Sequence, residues 1–216
     1  MKKSGKNFWR AAAVLVFVVA LVLFRMGSEI GPDRSLRERY RVARVIDGDT
    51  VELTGGDRLR LLAIDTPEKG EPLYDSARSV LTRLVADQPL EIAYSERRRD
   101  RYGRILGYAW RDTLFINEAM IRSGLALVYL FEDNIGDSAE LARLLAAQRE
   151  ALSAGRGIWG GEVVREDYYL AVKGSYRFHR PACYRIGKTR LDRLVRFGTR
   201  EEALVKGLSP CRDCRP

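Results

Sequence analysis

Residues 47–104 bring together Asp47-Gly48-Asp49-Thr50, Arg60, Asp65-Thr66-Pro67-Glu68 and Tyr102-Gly103-Arg104, a set of four carboxylates and two arginines. These residue types suit a metal-assisted attack on a phosphodiester. A hard dication is held by carboxylate and carbonyl oxygens, and a crowded phosphorane is matched by planar guanidinium donors. A carboxylate left over can orient or deprotonate water. Singly, each piece has a plainer reading: Asp-Gly-Asp-Thr is a turn, Arg60 a strand residue on a solvated face, Arg104 a charge beside a turn. Taken in order, they are specific and point to such a site.

Order, spacing and flanking apolar residues carry a resemblance to the staphylococcal nuclease (thermonuclease-like) domain. The matching text is Val45 to Val51, Arg60 to Glu68, Asp100 to Arg104, Asn117-Glu118-Ala119 leading to Gly124-Leu125-Ala126, and Gly157-Ile158-Trp159. The resemblance implies that Asp49, Asp65 and the Thr66 backbone carbonyl are calcium ligands. It makes Glu68 the general base and Arg60 and Arg104 the phosphate clamps. Cleavage leaving 3′-phosphate products is implied by the same likeness. The segment after Glu68 is short, and besides Tyr102 the base-stacking aromatics are Tyr129 and Phe131.

His179 is the only histidine, and it lies outside this stretch. A Ser-His-Asp hydrolase and a nuclease with a histidine base are therefore excluded. Calcium lowers the pKa of bound water far less than zinc does, so such a site needs a protein carboxylate such as Glu68 beside the water. The chain is 216 residues long with net charge +9, but the charge is unevenly spread. Residues 40–163 hold 17 basic and 20 acidic side chains, net −3, whereas residues 173–216 hold twelve basic and four acidic, net +8. The run Glu96-Arg97-Arg98-Arg99-Asp100-Arg101-Tyr102 adds a local basic loop, from which Arg98, Arg99 and Tyr102, with Tyr129, are taken as substrate contacts. The partner expected is DNA, with RNA as a second candidate; no protein partner is predicted.

Lys2, Lys3, Lys6 and Arg10 precede the uncharged apolar run Ala11–Phe24. Fourteen residues at ~1.5 Å rise span about 21 Å, short of a ~30 Å hydrocarbon core, but flanking aromatics and snorkelling arginines extend the reach. Large residues at 23–26 make a poor signal-peptidase site. The expectation is a single-pass anchor over 1–26 with the basic end cytoplasmic and the rest extracytoplasmic, in a bacterial-type membrane; secretion after cleavage is the alternative. Residues 27–39 read as a linker.

Short apolar alternations at Val42–Ile46, Val51–Leu53, Leu59–Ile64, Leu90–Tyr94 and Ile105–Trp110 predict five strands. Helical spacing predicts helices near 74–86, from Asn117 as a cap to before Gly124, and from Asp137 to Gly155. The fold class expected is α+β: a five-stranded OB-type β-barrel with three helices over 40–163. Residues 164–172 read as a second linker.

All three cysteines fall near the end, as His179-x3-Cys183-x27-Cys211-x2-Cys214. Four soft or borderline ligands in two paired clusters match tetrahedral zinc. This tail resembles the small zinc modules related to the metal-binding domain of the Ada DNA-repair protein, with histidine replacing one cysteine. So short a segment is expected to bury little apolar area, leaving the metal to supply most of its folding energy. An extracytoplasmic location favours a rival, a disulfide through Cys211–Cys214 or Cys183. The reading of the whole chain is a membrane-anchored calcium-dependent nuclease with a structural zinc tail. Its rival is a catalytically silent barrel that binds nucleic acid or a partner.

Overall fold

The computed structural model describes residues 37–216 apart from 87, 132–138 and 162–164. The expected anchor and Asp137 lie outside the described residues. No helix among the described residues is long and apolar enough to cross a membrane.

In chain order the elements are β1 Glu38–Tyr40, β2 Val42–Val45, β3 Thr50–Leu53, β4 Arg58–Leu61, β5 Ile64–Asp65, α1 Tyr74–Val85, β6 Leu90–Arg99, β7 Ile105–Arg111, β8 Leu114–Phe115, α2 Ile116–Arg122, β9 Leu127–Val128 and α3 Ala139–Ser153. The tail adds β10 Tyr169–Val172, β11 Arg177–His179, β12 Leu194–Phe197, α4 Arg200–Val205 and β13 Ser209–Pro210. The large sheet runs β1-β6-β7-β4-β3-β2. Its β4–β7 pair is parallel, and its other ladders are antiparallel. β1 and β2 are two halves of one chain segment broken at Arg41; the first half pairs with β6 and the second with β3. The two edges of the sheet are thus one strand, and the barrel closes. Closure is what the OB-type expectation required, because it removes open edges and turns one face of every strand inward.

Period-two alternation explains the core. Val51, Leu53, Leu59, Leu61, Ile92, Ile105 and Ala109 are buried inside the barrel, while Arg58 and Arg60 alternate with them along β4. Ala77, Leu81 and Val85 bring α1 against the same core. Asn117 does not cap α2: Phe115 holds the cap position and offers no side-chain bond. Asn117 is instead wholly buried, accepting from the Ala109 backbone N–H (3.0 Å) and donating to the Leu62 carbonyl (2.9 Å). It therefore ties β7 to the chain just after β4, a role its position one residue inside the helix permits and a sequence pattern does not reveal. The two glycine motifs also meet. A Cβ on Gly157 would lie 2.2 Å from the Gly124 carbonyl oxygen, so only bare backbone allows the Ile158 N–H to donate to that carbonyl at 2.9 Å.

The stretch 164–172 differs from the linker expected. Within it, β10 is an inner strand of a four-stranded sheet ordered β12-β10-β11-β13. Tyr169 and Ala171 face inward and join Phe178, Phe197, Ala203 and Leu204 in a cluster shared with Ala151 and Trp159 of the preceding domain. The tail therefore has an apolar core of its own, continuous with that domain, and residues 37–216 form one compact unit. The expectation that metal supplies most of its folding energy is corrected accordingly. α4 is opened by a capping box: the Thr199 hydroxyl accepts from the Glu202 N–H (3.1 Å), and the Glu202 carboxylate reaches back to the Gly198 N–H (2.7 Å).

Candidate active site

One cavity of about 650 Å³ opens at the mouth of the barrel, lined by residues that include Asp47, Asp49, Arg60, Asp65, Thr66, Glu68, Tyr102, Arg104 and Tyr129. Four segments of chain deliver them, Tyr129 coming from the stretch just after β9. The β2–β3 turn carries Asp47 and Asp49. Here the Asp49 N–H bonds the Asp47 carboxylate (3.1 Å), and Gly48 lets the turn sit against Thr66, since a Cβ would approach Thr66 Oγ1 to 2.7 Å. β4 presents Arg60 on its outer face. Beyond it the chain bends through Ala63, in the left-handed region at φ 59°, into β5 and Asp65. The β6–β7 turn supplies Tyr102 and Arg104.

Asp49 is buried and its carboxylate is saturated. Oδ2 accepts from the Thr66 N–H (3.1 Å) and hydroxyl (3.0 Å), and Oδ1 from the Thr50 hydroxyl (3.1 Å). The Arg60 guanidinium bridges the two aspartates, with Nε 3.0 Å from Asp49 Oδ1 and Nη2 3.1 Å from Asp65 Oδ1. Its Nη1 donates to the Leu61 carbonyl (2.6 Å). Burial raises the Asp65 carboxyl above the usual aspartate range despite Arg60 and Arg212 nearby, and burial together with Asp49 raises Asp47. Burial disfavours the charged form of these carboxylates, and their all-oxygen donor set fits a hard dication.

Arg104 is held by Asp100, which accepts from its Nε (2.8 Å) and its backbone N–H (3.0 Å). Asp100 also accepts from the Tyr102 N–H at 2.9 Å. Partial burial pushes the Asp100 carboxyl up, but these bonds together outweigh it and hold it low. Tyr102 is exposed at the rim, and Glu68 stands 64% exposed at its side chain. Arg98 and Arg99, taken as substrate contacts, do not line the cavity. Arg98 lies over the Tyr94 ring (4.6 Å), and Arg99 pairs with Asp57 (2.9 Å) and donates to the Gly103 carbonyl. Their neighbours Arg97 and Arg101 line it instead. The β6–β7 ladder shifts register between Tyr94 and Arg99, a shift alternation alone cannot locate, and Arg101 lies beyond β6 in the turn. Sequence reasoning also missed Arg212, far along the chain, which lines the same cavity.

In the tail, His179, Cys183, Cys211 and Cys214 converge, with ligand atoms all within 4.8 Å of one another. The three cysteines are free thiols. Burial pushes the Cys214 thiol up to about 12, with Cys183 and Cys211 nearby adding to the effect, and burial lowers the His179 imidazole. The Arg180 backbone N–H points at Cys214 Sγ (3.4 Å), as such groups do around ligating sulfurs. One nitrogen and three sulfurs, mostly buried, make a donor set that could hold a metal, and it fits zinc.

A closed five-stranded barrel with an acidic, arginine-bridged pocket at its mouth defines an OB-type domain. Residues 58–161 match the family described as "Staphylococcal nuclease homologue". The thermonuclease of Staphylococcus hyicus is 31% identical over 163 residues, covering 67% of this chain and 95% of that protein. An "uncharacterized endonuclease" of Escherichia coli is 38% identical over 123 residues, 55% of this chain and 75% of its own length. Protein ParB of Escherichia coli is 32% identical over 171 residues, 74% and 88% of the two chains. The chain belongs to the staphylococcal nuclease family.

Proposed function

We propose that the protein is a calcium-dependent nuclease that hydrolyses phosphodiester bonds of DNA, with RNA as a second substrate. One observation carries this: Asp49, Asp65, Arg60, Arg104 and Glu68 line a single cavity. The names of the thermonuclease and endonuclease relatives support it. Asp49, Asp65 and the Thr66 carbonyl would hold calcium, which when bound supplies charge to a phosphoryl oxygen and an ordered water. Thr66 also has a second task, since its N–H and hydroxyl orient Asp49.

The chain's own groups then divide the work. Arg60, which pairs with both aspartates, would bind the phosphate oxygens, and its planar fork matches two oxygens at once. Arg104, braced by Asp100, meets charge developing on the leaving group, a term that is large only because the donor is already in place. Glu68, exposed enough to meet water, removes the proton from the attacking water. Tyr102, exposed at the rim, offers a ring face to a base, whereas the Tyr129 ring carries the Arg177 guanidinium 3.5 Å from its centroid and lines the wall. The deciding experiment is Glu68→Gln in the full chain, assayed on single- and double-stranded DNA and RNA with calcium or magnesium. Turnover should fall by ~10²–10⁴ with binding little changed. Wild-type turnover in the variant, or a magnesium optimum in chelated and repurified protein, refutes the assignment.

The metal proposed for the His179, Cys183, Cys211 and Cys214 cluster is structural zinc. Membrane anchoring through residues 1–26 is proposed from the sequence and is tested by retention in the membrane fraction after carbonate washing. A silent binding module would keep its nucleic-acid affinity and show no calcium-dependent cleavage; the complete acid–arginine set favours the enzyme.

A further inference from the structure

Two guanidiniums from distant parts of the chain converge on Asp65. Arg60 Nη2 lies 3.1 Å from Oδ1; Arg212 Nη2 lies 2.6 Å from the same oxygen and 2.7 Å from Oδ2. Arg212 Nη1 is 3.3 Å from Glu68 Oε1, and the guanidinium lies over the Tyr129 ring, 5.4 Å from its centroid. Arg212 is the first residue of the turn between Cys211 and Cys214, and that turn is braced on several sides. The Cys211 N–H donates to the Phe178 carbonyl (2.9 Å), Arg180 Nε to the Cys214 carbonyl (2.8 Å), and Arg215 pairs with Glu71 (3.1 Å). The tail is bonded to the barrel nearby, through the Ser209 hydroxyl to the Val128 carbonyl (2.8 Å) and Arg177 to the Leu130 carbonyl (3.1 Å). A tail set on the barrel in this way presents a side chain, not a flexible tether.

We propose that Arg212 is a third phosphate-binding guanidinium of the pocket, supplied by the tail to the nucleic-acid backbone; this rests on the nuclease reading above. A cation held by Asp65 would compete with Arg212 for these oxygens. The guanidinium, still anchored at the cavity wall and 54% exposed along its side chain, then faces the phosphate oxygens, whose paired geometry its fork matches. Substrate affinity thereby depends on a residue outside the barrel.

The test uses the full chain, with Arg212→Ala, Arg212→Lys and Arg215→Ala, in calcium buffer. Arg212→Ala should raise KM for a single-stranded oligonucleotide about tenfold. In a non-cleaving Glu68→Gln background it should make the dependence of log affinity on log salt shallower by about 0.7, one phosphate contact. Arg212→Lys should keep the salt slope and lose part of the affinity. Arg215→Ala removes the Glu71 pair and should leave the salt slope unchanged, separating tail docking from phosphate contact. Unchanged KM and slope in Arg212→Ala overturns the proposal. A wild-type chain that cleaves nothing refutes the nuclease reading itself, whereas cleaving wild type beside an indistinguishable Arg212→Ala refutes only the role of Arg212.

Discussion

Arg60→Gln separates two tasks that one side chain performs. Arg60 is 12% exposed at its side chain and neutralises Asp49 and Asp65 through contacts of 3.0 and 3.1 Å. At ~4 Å between charge centres and an effective dielectric near 20, each pair is worth about 4 kcal/mol before desolvation. Removing one partner of a buried pair costs ~3–5 kcal/mol. The cavity is open on one side and Arg212 still covers Asp65, so the loss in metal-free protein should be smaller, about 2–3 kcal/mol. Glutamine can keep one hydrogen bond but no charge. Calcium occupying the same oxygens should restore most of the lost stability, and its affinity should rise because Arg60 no longer competes for them. Turnover moves the opposite way, falling ~10²–10³ as a donor to the developing charge is lost. Urea unfolding with calcium and with chelator, alongside cleavage titrated with calcium, measures all three. A calcium requirement that rises in step with lost turnover, or metal-free stability equal to wild type, refutes the reasoning.

Gly48→Ala places a Cβ 2.7 Å from Thr66 Oγ1 and 2.8 Å from Ala77 Cβ. It should cost ~1–3 kcal/mol and raise the calcium requirement by prising Asp49 from Thr66; thermal unfolding and a calcium titration check both. Asp100 has a folded pKa held below its ordinary value, so its contribution is present in full above that ordinary value and is lost as pH falls through the lower folded one. Asp100→Asn should therefore cost ~1–2 kcal/mol at neutral pH, and the gap from wild type should narrow in denaturant titrations as pH falls below the ordinary aspartate range. About one equivalent of zinc is expected in protein from its own compartment. Chelation should loosen β13 and the Cys211–Cys214 turn in hydrogen exchange while the core around Tyr169 and Phe178 stays protected. Less than about half an equivalent, with Cys211 and Cys214 linked in the peptide map, favours the disulfide.

Local patterns settled much of this molecule. Alternating apolar residues marked the strands that became β2, β3, β4, β6 and β7 because one face of each must be buried, and side chains alternate between faces along a strand whatever lies elsewhere in the chain. Asp49, Arg60, Asp65, Glu68, Tyr102 and Arg104 were legible as a set because their chemistry is rare in that order, and all of them line the cavity. His179 and the three cysteines were legible for the same reason, and they meet. Tertiary structure decided the rest. Asn117 reads as a helix cap and is a buried clasp, since only the fold brings the Leu62 carbonyl and the Ala109 N–H to it. That Arg97 and Arg101 line the cavity in place of Arg98 and Arg99 depends on how β6 pairs and on the turn that follows it, properties of the packed chain. Arg212 could not be read as part of the pocket, because 147 residues separate it from Asp65. Sequence carries local periodicity and residue chemistry; a contact between distant segments exists only once both have been packed against a common core, here the shared surface of Ala151, Trp159 and the tail sheet.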